Sequence, residues 1–438
     1  MTTDTLAILV MVFSFGILLV SNVPVAFCMG ICTLLGVLVL GGLPTFQIIA
    51  QRMATGIDSF PLLAIPFFIL AGLFMGRGGI ARRLIDFANV LVGRFRGGLA
   101  FVNIVTCMLF GSISGSAAAA VSAVGGTMIP LMNKLGYHRD FNTAISITAA
   151  TTGLLIPPSN IMIVYSMATG GMVSVAAIFI AGILPGILVG LGLMVVAGII
   201  SARYKYGKGE RFGPKEGIVR FLKAIPALLL IVIVLGGILG GIFTATEASA
   251  IAVVYAFILS VVIYREVKIK ELPAIMLQSA VTTAVVLMLI ATSMAMSWFL
   301  THQNIPQNIS AFLLGLTKSK ILILLIINLM LLVVGTFMDM TPAVLIFTPI
   351  FLPVVKEYGM NPLHFGIIII MNLCIGICTP PVGTVLFLGC GIANTTVTKI
   401  MRYLLPCFGA MIIVLFICTY TPQISLVLPR FFGFIKSF

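Results

Sequence analysis

Apolar segments of transmembrane length recur along this chain from Leu6 to Tyr420. A helix needs about 20 predominantly apolar residues to cross the hydrocarbon core of a bilayer. Only 8% of the residues are charged, whereas soluble domains carry roughly 25%. Within lipid the backbone has to satisfy its own hydrogen bonds, as a helix does. The sequence therefore predicts an all-α polytopic membrane protein that contacts the lipid bilayer along most of its length.

The remaining composition argues against several other classes of protein. The net charge of +14 comes from Lys and Arg residues that are scattered over short loops, whereas a nucleic-acid site needs them on one face. The three histidines are far apart, there is no CxxC pair, and no Ser–His or paired-Asp constellation appears. We predict no nucleic-acid partner, no cofactor and no enzymatic activity. An ion channel is the alternative from another class, but we find no continuous polar stripe along a spanning segment.

An internal repeat divides the chain into two halves. Proline and glycine fix where helices break and where turns close, so their positions are the informative part of the repeat. A shift of 223 residues superimposes Pro130 on Pro353, Gly136 on Gly359, Gly153 on Gly376, and Pro157-Pro158 on Pro380-Pro381. We predict repeats at 1–210 and 225–438, joined by a basic cytoplasmic linker at 211–224.

The distribution of basic residues predicts how the repeats cross the membrane. If the N-terminus lies outside and each repeat crosses an odd number of times, the two repeats run in opposite directions. All but six of the 25 Lys and Arg residues then lie on the inner side, as the positive-inside rule requires. The six on the outer side are Arg52, Lys318, Lys320, Lys356, Arg430 and Lys436. Inverted repeats of this kind are common among secondary transporters.

Two segments in each repeat are incompatible with a single straight span. Residues 99–133 and 320–355 return to the side from which they start, so we predict a re-entrant helical hairpin at each. Residues 142–172 and 365–393 cross the membrane but contain a Pro-Pro pair, so we predict a broken helix at each. Non-helical backbone at membrane depth survives only where protein covers it or where it lines a wet cavity. The hairpin tips and the helix breaks are therefore the predicted functional site.

These tips and breaks are rich in glycine, proline and small polar side chains. Carbonyl groups released by helix breaks, together with Ser, Thr and Asn oxygens, suit a dehydrated alkali cation. The candidate substrate- and ion-binding residues are Ser112, Ser114, Gly115, Ser116, Thr152, Gly153, Pro157, Ser159, Asn160, Gly335, Thr336, Asp339, Thr341, Gly376, Thr379, Pro380, Gly383 and Thr384. The predicted sodium positions among them are Ser112, Ser116, Gly153, Gly335, Asp339 and Thr379.

Two acidic residues at the membrane require separate interpretations. Asp339 is the one carboxylate that the predicted topology buries deeply, which makes it a functional candidate; the structural alternative is an N-cap for the helix that follows it. Glu247 lies in a turn between two spans, where an N-cap is the favoured interpretation. Neither hairpin tip and neither break contains Lys or Arg. An anionic substrate would therefore be held by helix N-termini, hydroxyl groups and bound sodium.

The chain resembles the large membrane subunit, of the DctM type, of tripartite ATP-independent periplasmic (TRAP) transporters. The resemblance covers nearly the whole length. It rests on Phe110–Ser116, Ile129-Pro130 with Gly136-Tyr137, Ile156–Ser159 and Thr379–Gly383. Related sodium–dicarboxylate carriers have Ser-Asn-Thr at their hairpin tips, and this triplet is absent from both tips here, which favours the tripartite family.

The resemblance implies an elevator-type, sodium-coupled importer in the bacterial inner membrane. It implies a small four-helix membrane subunit (DctQ type) and a periplasmic substrate-binding protein (DctP type) as partners. It also implies a small carboxylate as substrate, of the C4-dicarboxylate or sialic acid type. A single-component sodium–carboxylate symporter or antiporter of the same architecture is the main alternative, and dependence on a soluble binding protein separates the two.

Overall fold

The computed structural model describes residues 3–21, 23–41, 44–207, 214–317, 319–380 and 382–435, and these residues form no strand. The helices of the first half are α1 Thr3–Val20, α2 Val25–Leu40, α3 Thr45–Ile57, α4 Ala64–Arg77, α5 Ile80–Val92, α6 Gly98–Ser114, α7 Ala117–Ala120, α8 Gly126–Lys134, α9 Arg139–Thr152, α10 Asn160–Ala168 and α11 Val175–Arg203. Those of the second half are α12 Pro214–Leu239, α13 Ala245–Phe257, α14 Leu272–His302, α15 Ile305–Leu316, α16 Lys320–Phe337, α17 Met340–Glu357, α18 Pro362–Gly376, α19 Thr384–Ala393, α20 Val397–Tyr420 and α21 Gln423–Phe431.

Nine helical stretches within the described ranges are long and apolar enough to cross a membrane. Helices α9 and α10 add a tenth if the bent pair is counted as one span, because they meet at an angle of 50° across a short break. The prediction of an all-α polytopic protein is confirmed. The opposite orientation of the two repeats is not tested by these helices alone and stays a prediction.

Each segment predicted as a hairpin or a broken helix contains helices joined by a short turn or break, and re-entry of the hairpins to the same membrane side stays a prediction. The first hairpin segment consists of α6, a tight turn and a returning helix, which runs through α7, a π-helical turn at Val121–Gly125 and α8. The second consists of α16 and α17. We call these units hairpin 1 and hairpin 2. Helices α9 and α10 flank break 1 (153–159), and helices α18 and α19 flank break 2 (377–383).

Each hairpin packs closely against the first half of the broken helix in its own repeat. A Cβ atom built on Gly153 would lie 2.5 Å from Cα of Gly111, and one built on Gly376 would lie 2.5 Å from Cα of Gly335. No side chain fits at these contacts, so glycine is required for the two backbones to approach. A buried amide adds a polar contact in each pair. Asn103 donates to Ser146 Oγ (2.6 Å), and Asn372 donates to Asn328 Oδ1 (2.6 Å).

Several short elements differ from the sequence prediction. Helices α3, α15 and α21 lie in segments to which the sequence analysis assigned no helix. Helix α12 already begins at Pro214, so residues 214–224 of the predicted linker are its first turns. Proline is well suited to the first helical position, and Arg220 pairs there with Glu216 one turn away (2.8 Å). The rest of the linker, 211–213, lies outside the described residues.

Adding one methyl group at a glycine contact should loosen a hairpin. In Gly376→Ala the new Cβ meets the backbone of Gly335, which cannot move aside as a flexible side chain could. Overpacking of this kind costs about 1–3 kcal/mol, so we expect a clearly lower midpoint of thermal unfolding in detergent. The matched control is Gly409→Ala in α20, where a Cβ meets nothing within 4 Å. Equal midpoints for the two variants would contradict the proposed contact.

Candidate functional site

A cavity of about 730 Å³ lies where the two hairpin tips meet the two breaks. Two further helices, α4 and α14, complete its wall. We call this space the tip cavity. Its lining includes seven of the candidate residues, namely Ser114, Gly115, Ser116, Asn160, Asp339, Thr341 and Thr384. The tips and breaks of both repeats therefore face one common space.

The tip of hairpin 1 contributes two serines and a glycine turn. Helix α6 ends at Ser114, and Gly115 adopts a left-handed conformation with φ of +61°. A Cβ atom at Gly115 would lie 2.8 Å from the side-chain nitrogen of Asn160, so glycine meets both the backbone and the packing requirement. Ser116 then caps α7, because its Oγ accepts a hydrogen bond from the amide of Ala119 (3.2 Å).

Break 1 presents oxygen atoms that have no protein partner. A single 3-10 turn at Gly153–Leu155 is followed by extended backbone at Ile156 and at Ser159, and α10 starts at Asn160. Ser159 is fully buried, and its Oγ makes no hydrogen bond within the described structure. Asn160 Oδ1 also makes no hydrogen bond within the described structure. Buried oxygens without a partner are rare and costly, so a bound cation or water at this break would remove a penalty.

The tip of hairpin 2 carries the acidic candidate. Asp339 occupies the N-cap position of α17, but its carboxylate makes no side-chain capping bond. The alternative interpretation of Asp339 as a structural cap therefore rests on its position alone. The side chain is exposed to the tip cavity and is not buried in the protein interior. The shift of 223 residues that defines the repeat superimposes Ser116 on Asp339, so equivalent N-cap positions contribute a hydroxyl group in one repeat and a carboxylate in the other.

Break 2 brings Thr384, at the start of α19, into the tip cavity. The hydroxyl of Thr379 instead donates to the carbonyl oxygen of Ile375 in the preceding turn (2.8 Å). The neighbouring Pro381 lies outside the described residues. Ile377 at the start of break 2 and Thr384 just after it line the cavity, while the hydroxyl of Thr379 is bonded to its own helix.

Eleven candidate residues do not line the tip cavity. The hydroxyls of Ser112, Thr152 and Thr336 donate to carbonyls in their own helices, a local bond that these residue types favour. The glycines of the close contacts lie behind the tips. The eleven are Ser112, Thr152, Gly153, Pro157, Ser159, Gly335, Thr336, Gly376, Thr379, Pro380 and Gly383. Of the six predicted sodium positions, the structure brings Ser116 and Asp339 to the cavity, and the assignment of sodium to any of the six stays a prediction.

The sequence analysis missed two polar residues on the opposite wall. Arg77, the last residue of α4, donates to the side-chain oxygen of Gln278 on α14 (2.8 Å), and both residues line the cavity. Arg77 forms no ion pair within the described part of the chain. Gln278 and Thr282, one turn apart in an apolar helix, were the available signal for a polar wall.

Glu247 has the structural role that its position predicts. Its carboxylate accepts hydrogen bonds from the amide and the hydroxyl of Thr244 (2.8 and 2.9 Å), and its own amide donates back to Thr244 Oγ1 (3.3 Å). This reciprocal pair is a capping box at the start of α13. The N-cap interpretation of Glu247 is confirmed.

Comparison with known proteins places this site in a family context. Residues 12–424 match the model of the family described as "Tripartite ATP-independent periplasmic transporter, DctM component". The chain is 43% identical over 376 residues to the C4-dicarboxylate TRAP transporter large permease protein DctM of Pseudomonas aeruginosa, covering 86% of this chain and 88% of the relative. It is 42% identical over 428 residues to the isethionate TRAP transporter permease protein DctMQ of Oleidesulfovibrio alaskensis, covering 96% of this chain and 65% of the relative.

Solved structures add support for the fold. The crystal structure of the Alcanivorax borkumensis YdaH transporter superimposes with a TM-score of 0.61 over 90% of both chains, at 13% sequence identity. At this identity the likeness shows the fold alone. Together with the nine apolar helices of the described ranges, the family match identifies a multi-pass protein of the inner membrane. The chain belongs to the DctM family, the large membrane component of tripartite ATP-independent periplasmic transporters.

Proposed function

We propose that this chain is the transport subunit of a sodium-coupled importer, and that sodium and a small carboxylate bind together in the tip cavity. One arrangement carries the proposal. Asp339 and Asn160, whose Oδ1 has no hydrogen-bond partner within the described structure, line the tip and break side of the cavity, whereas the guanidinium of Arg77 lies on the wall formed by α4. The first group suits cations and the second suits an anion. A cavity with both suits an anionic solute that enters together with cations.

The substrate class follows from the polar groups of the cavity. Arg77 offers a planar set of N–H donors that matches a carboxylate or a sulfonate. Gln278 accepts a hydrogen bond from Arg77 through its side-chain oxygen, which leaves its amide group available to a ligand. Relatives are named for C4-dicarboxylates and for isethionate, a sulfonate. We propose a small organic anion of the C4-dicarboxylate or sialic acid type, with a sulfonate as a related possibility.

The arrangement of the walls supports movement of the hairpins against a framework. The tips and breaks supply the proposed cation groups, whereas Arg77 comes from α4 and Gln278 from α14. Helices α4 and α14 pack on one another; α4 also packs on α13, and α14 also packs on α2 and α3. In an elevator mechanism the hairpin units would carry the substrate past this framework. The positive-inside count places Arg77 on the inner side, so the described conformation would open the tip cavity towards the cytoplasm.

The family name and one relative support two partners. The family is described as tripartite. The isethionate relative is named DctMQ, and this chain aligns with only 65% of its length. We propose a small membrane subunit of the DctQ type and a periplasmic binding protein of the DctP type that delivers the anion. If uptake in proteoliposomes proceeds at full rate without any soluble binding protein, the single-component symporter would be the better description.

Removing the charge of Asp339 should impair coupling to sodium. Asp339→Asn keeps a residue that can occupy an N-cap but removes the carboxylate, so we expect at least a tenfold loss of sodium-driven uptake, equivalent to about 1.4 kcal/mol or more of lost cation binding. Initial rates are measured in proteoliposomes containing the partner subunits, across a range of sodium concentrations. If each hairpin and its break hold one sodium ion, as we propose, the wild-type rate should rise sigmoidally with sodium. Asp4→Asn, an exposed acid in the first turn of α1, is the control. Normal uptake and unchanged sodium dependence in Asp339→Asn would refute the assignment.

Removing the charge of Arg77 should weaken anion binding at the inner face. A hydrogen bond to a charged group contributes about 1.5–3 kcal/mol. We therefore expect Arg77→Gln to raise the half-saturating concentration of the anion at least tenfold in a counterflow experiment. The anion is supplied at the membrane face on which Arg77 lies. C4-dicarboxylate, N-acetylneuraminate and isethionate are the solutes to test. The control is Arg82→Gln, an exposed arginine on the next helix that does not line the cavity. If Arg77→Gln and Arg82→Gln give the same half-saturation, Arg77 does not hold the anion.

A further inference from the structure

A second cavity, also of about 730 Å³, lies at the other end of the same interface. Helix α10 contributes Asn160, Ile161 and Val164 to the tip cavity and Ser166 and Met167 to the second cavity. Helix α14 contributes residues 278–286 to the first and Met294 to the second. Likewise, residues 65–77 of α4 line the tip cavity, and the 3-10 turn just before α4 lines the other. The two cavities therefore lie at different ends of the same segments, formed by α4, α10 and α14.

The second cavity has a single ionisable lining residue, Arg52 on α3, and we call it the Arg52 cavity. The guanidinium lies 5.9 Å from the ring centre of Trp298 and forms no ion pair within the described structure. The acids nearest in sequence to the lining, Asp58 and Glu247, do not line it. The carboxylate of Glu247 accepts hydrogen bonds from Thr244. Arg52 is exposed, and a basic side chain in the lining of a cavity attracts anions.

Backbone donors reinforce this charge. Helix α11, 29 residues long, begins at the cavity, and Ser174, Val175 and Ala176 are all part of the lining. The hydroxyl of Ser174 accepts from the amide of Ala177 (3.2 Å), while the first amides of the helix point to the N-terminal side. The N-terminus of a long helix carries a partial positive charge and favours an anion. Arg52 and the start of α11 thus face one space from different elements.

We infer that the Arg52 cavity is a second anion-binding site, which receives the carboxylate on the periplasmic side before it reaches the tip cavity. This inference rests on the proposed transport function and on the predicted orientation, which places Arg52 outside. Within the lining of the Arg52 cavity, Ser59 Oγ and Met167 Sδ lie 3.8 Å apart, so the segment before α4 contacts α10 there. With two anion-binding sites at the two ends of one interface, an anion can stay bound in the Arg52 cavity while the tip cavity is closed to the periplasm. Because no hairpin-tip residue lines the Arg52 cavity, anion binding there is independent of sodium.

Protection of an introduced cysteine tests this site without measuring transport. Thr55 is exposed, lies one turn from Arg52 and lines the cavity, and the eight natural cysteines are all buried. Thr55→Cys in phosphatidylcholine liposomes is labelled with an uncharged, membrane-impermeant maleimide. Succinate, isethionate and N-acetylneuraminate are added separately, and succinamide serves as the neutral analogue of succinate. We expect at least one of the anions to slow labelling at least threefold, equally in sodium and in choline, while succinamide has no effect.

Matched second substitutions assign the effect to Arg52. Arg52→Gln should abolish protection, whereas Lys320→Gln, which removes an exposed base away from the cavity, should preserve it. Absence of protection by all three anions, or protection that survives Arg52→Gln, overturns the inference. Slow labelling in phosphatidylglycerol liposomes without added solute, combined with no solute effect in phosphatidylcholine, overturns it in favour of a lipid headgroup.

Sodium-driven uptake by the wild-type complex is measured in parallel. Uptake without protection refutes only this second site, whereas absence of uptake refutes the proposed function itself.

Discussion

Close backbone contact between each hairpin and its broken helix is the interaction on which the rest of the structure depends. A helix break at membrane depth releases backbone groups that lipid cannot satisfy, so protein has to cover it. Gly111 against Gly153 and Gly335 against Gly376 let two helices approach until no side chain fits between them. The buried amides of Asn103 and Asn372 fix the same pairs through short hydrogen bonds. With the breaks covered from behind, the tips are free to face a common cavity.

The tip cavity separates charge in a way that fits the proposed coupling. Asp339 and the partnerless Oδ1 of Asn160 suit cations, and Arg77 suits an anion. Neither side is neutralised by a partner within the described chain. In the proposed function, cations at the tips improve the binding of an anion and the anion improves the binding of cations, since the coupling free energy between two ligands is reciprocal. The Arg52 cavity has no hairpin-tip residue in its lining, so the site inferred there would bind the anion without this coupling.

The sequence predicted the parts of the site that are local and failed on the parts that are tertiary. Hairpins and breaks were predictable because proline and glycine act on the backbone at their own positions. Ser116, Asn160, Asp339 and Thr384 line the common cavity, and their binding roles stay predictions. Ser112 and Thr379 do not line it, because a hydroxyl within a helix bonds to its own preceding turn. Arg77 was missed because its role depends on α14, which lies some 200 residues further along the chain.

The central claim is that cations at the hairpin tips and the organic anion share one cavity, and ligand-dependent stability tests it most directly. Any ligand that binds only the folded protein raises the midpoint of thermal unfolding. The purified complex is heated with C4-dicarboxylate, N-acetylneuraminate or isethionate, in sodium and in choline at equal ionic strength. The account predicts that at least one anion raises the midpoint much more in sodium than in choline, and that Asp339→Asn removes this difference. An anion that stabilises the protein equally in sodium and in choline would contradict it.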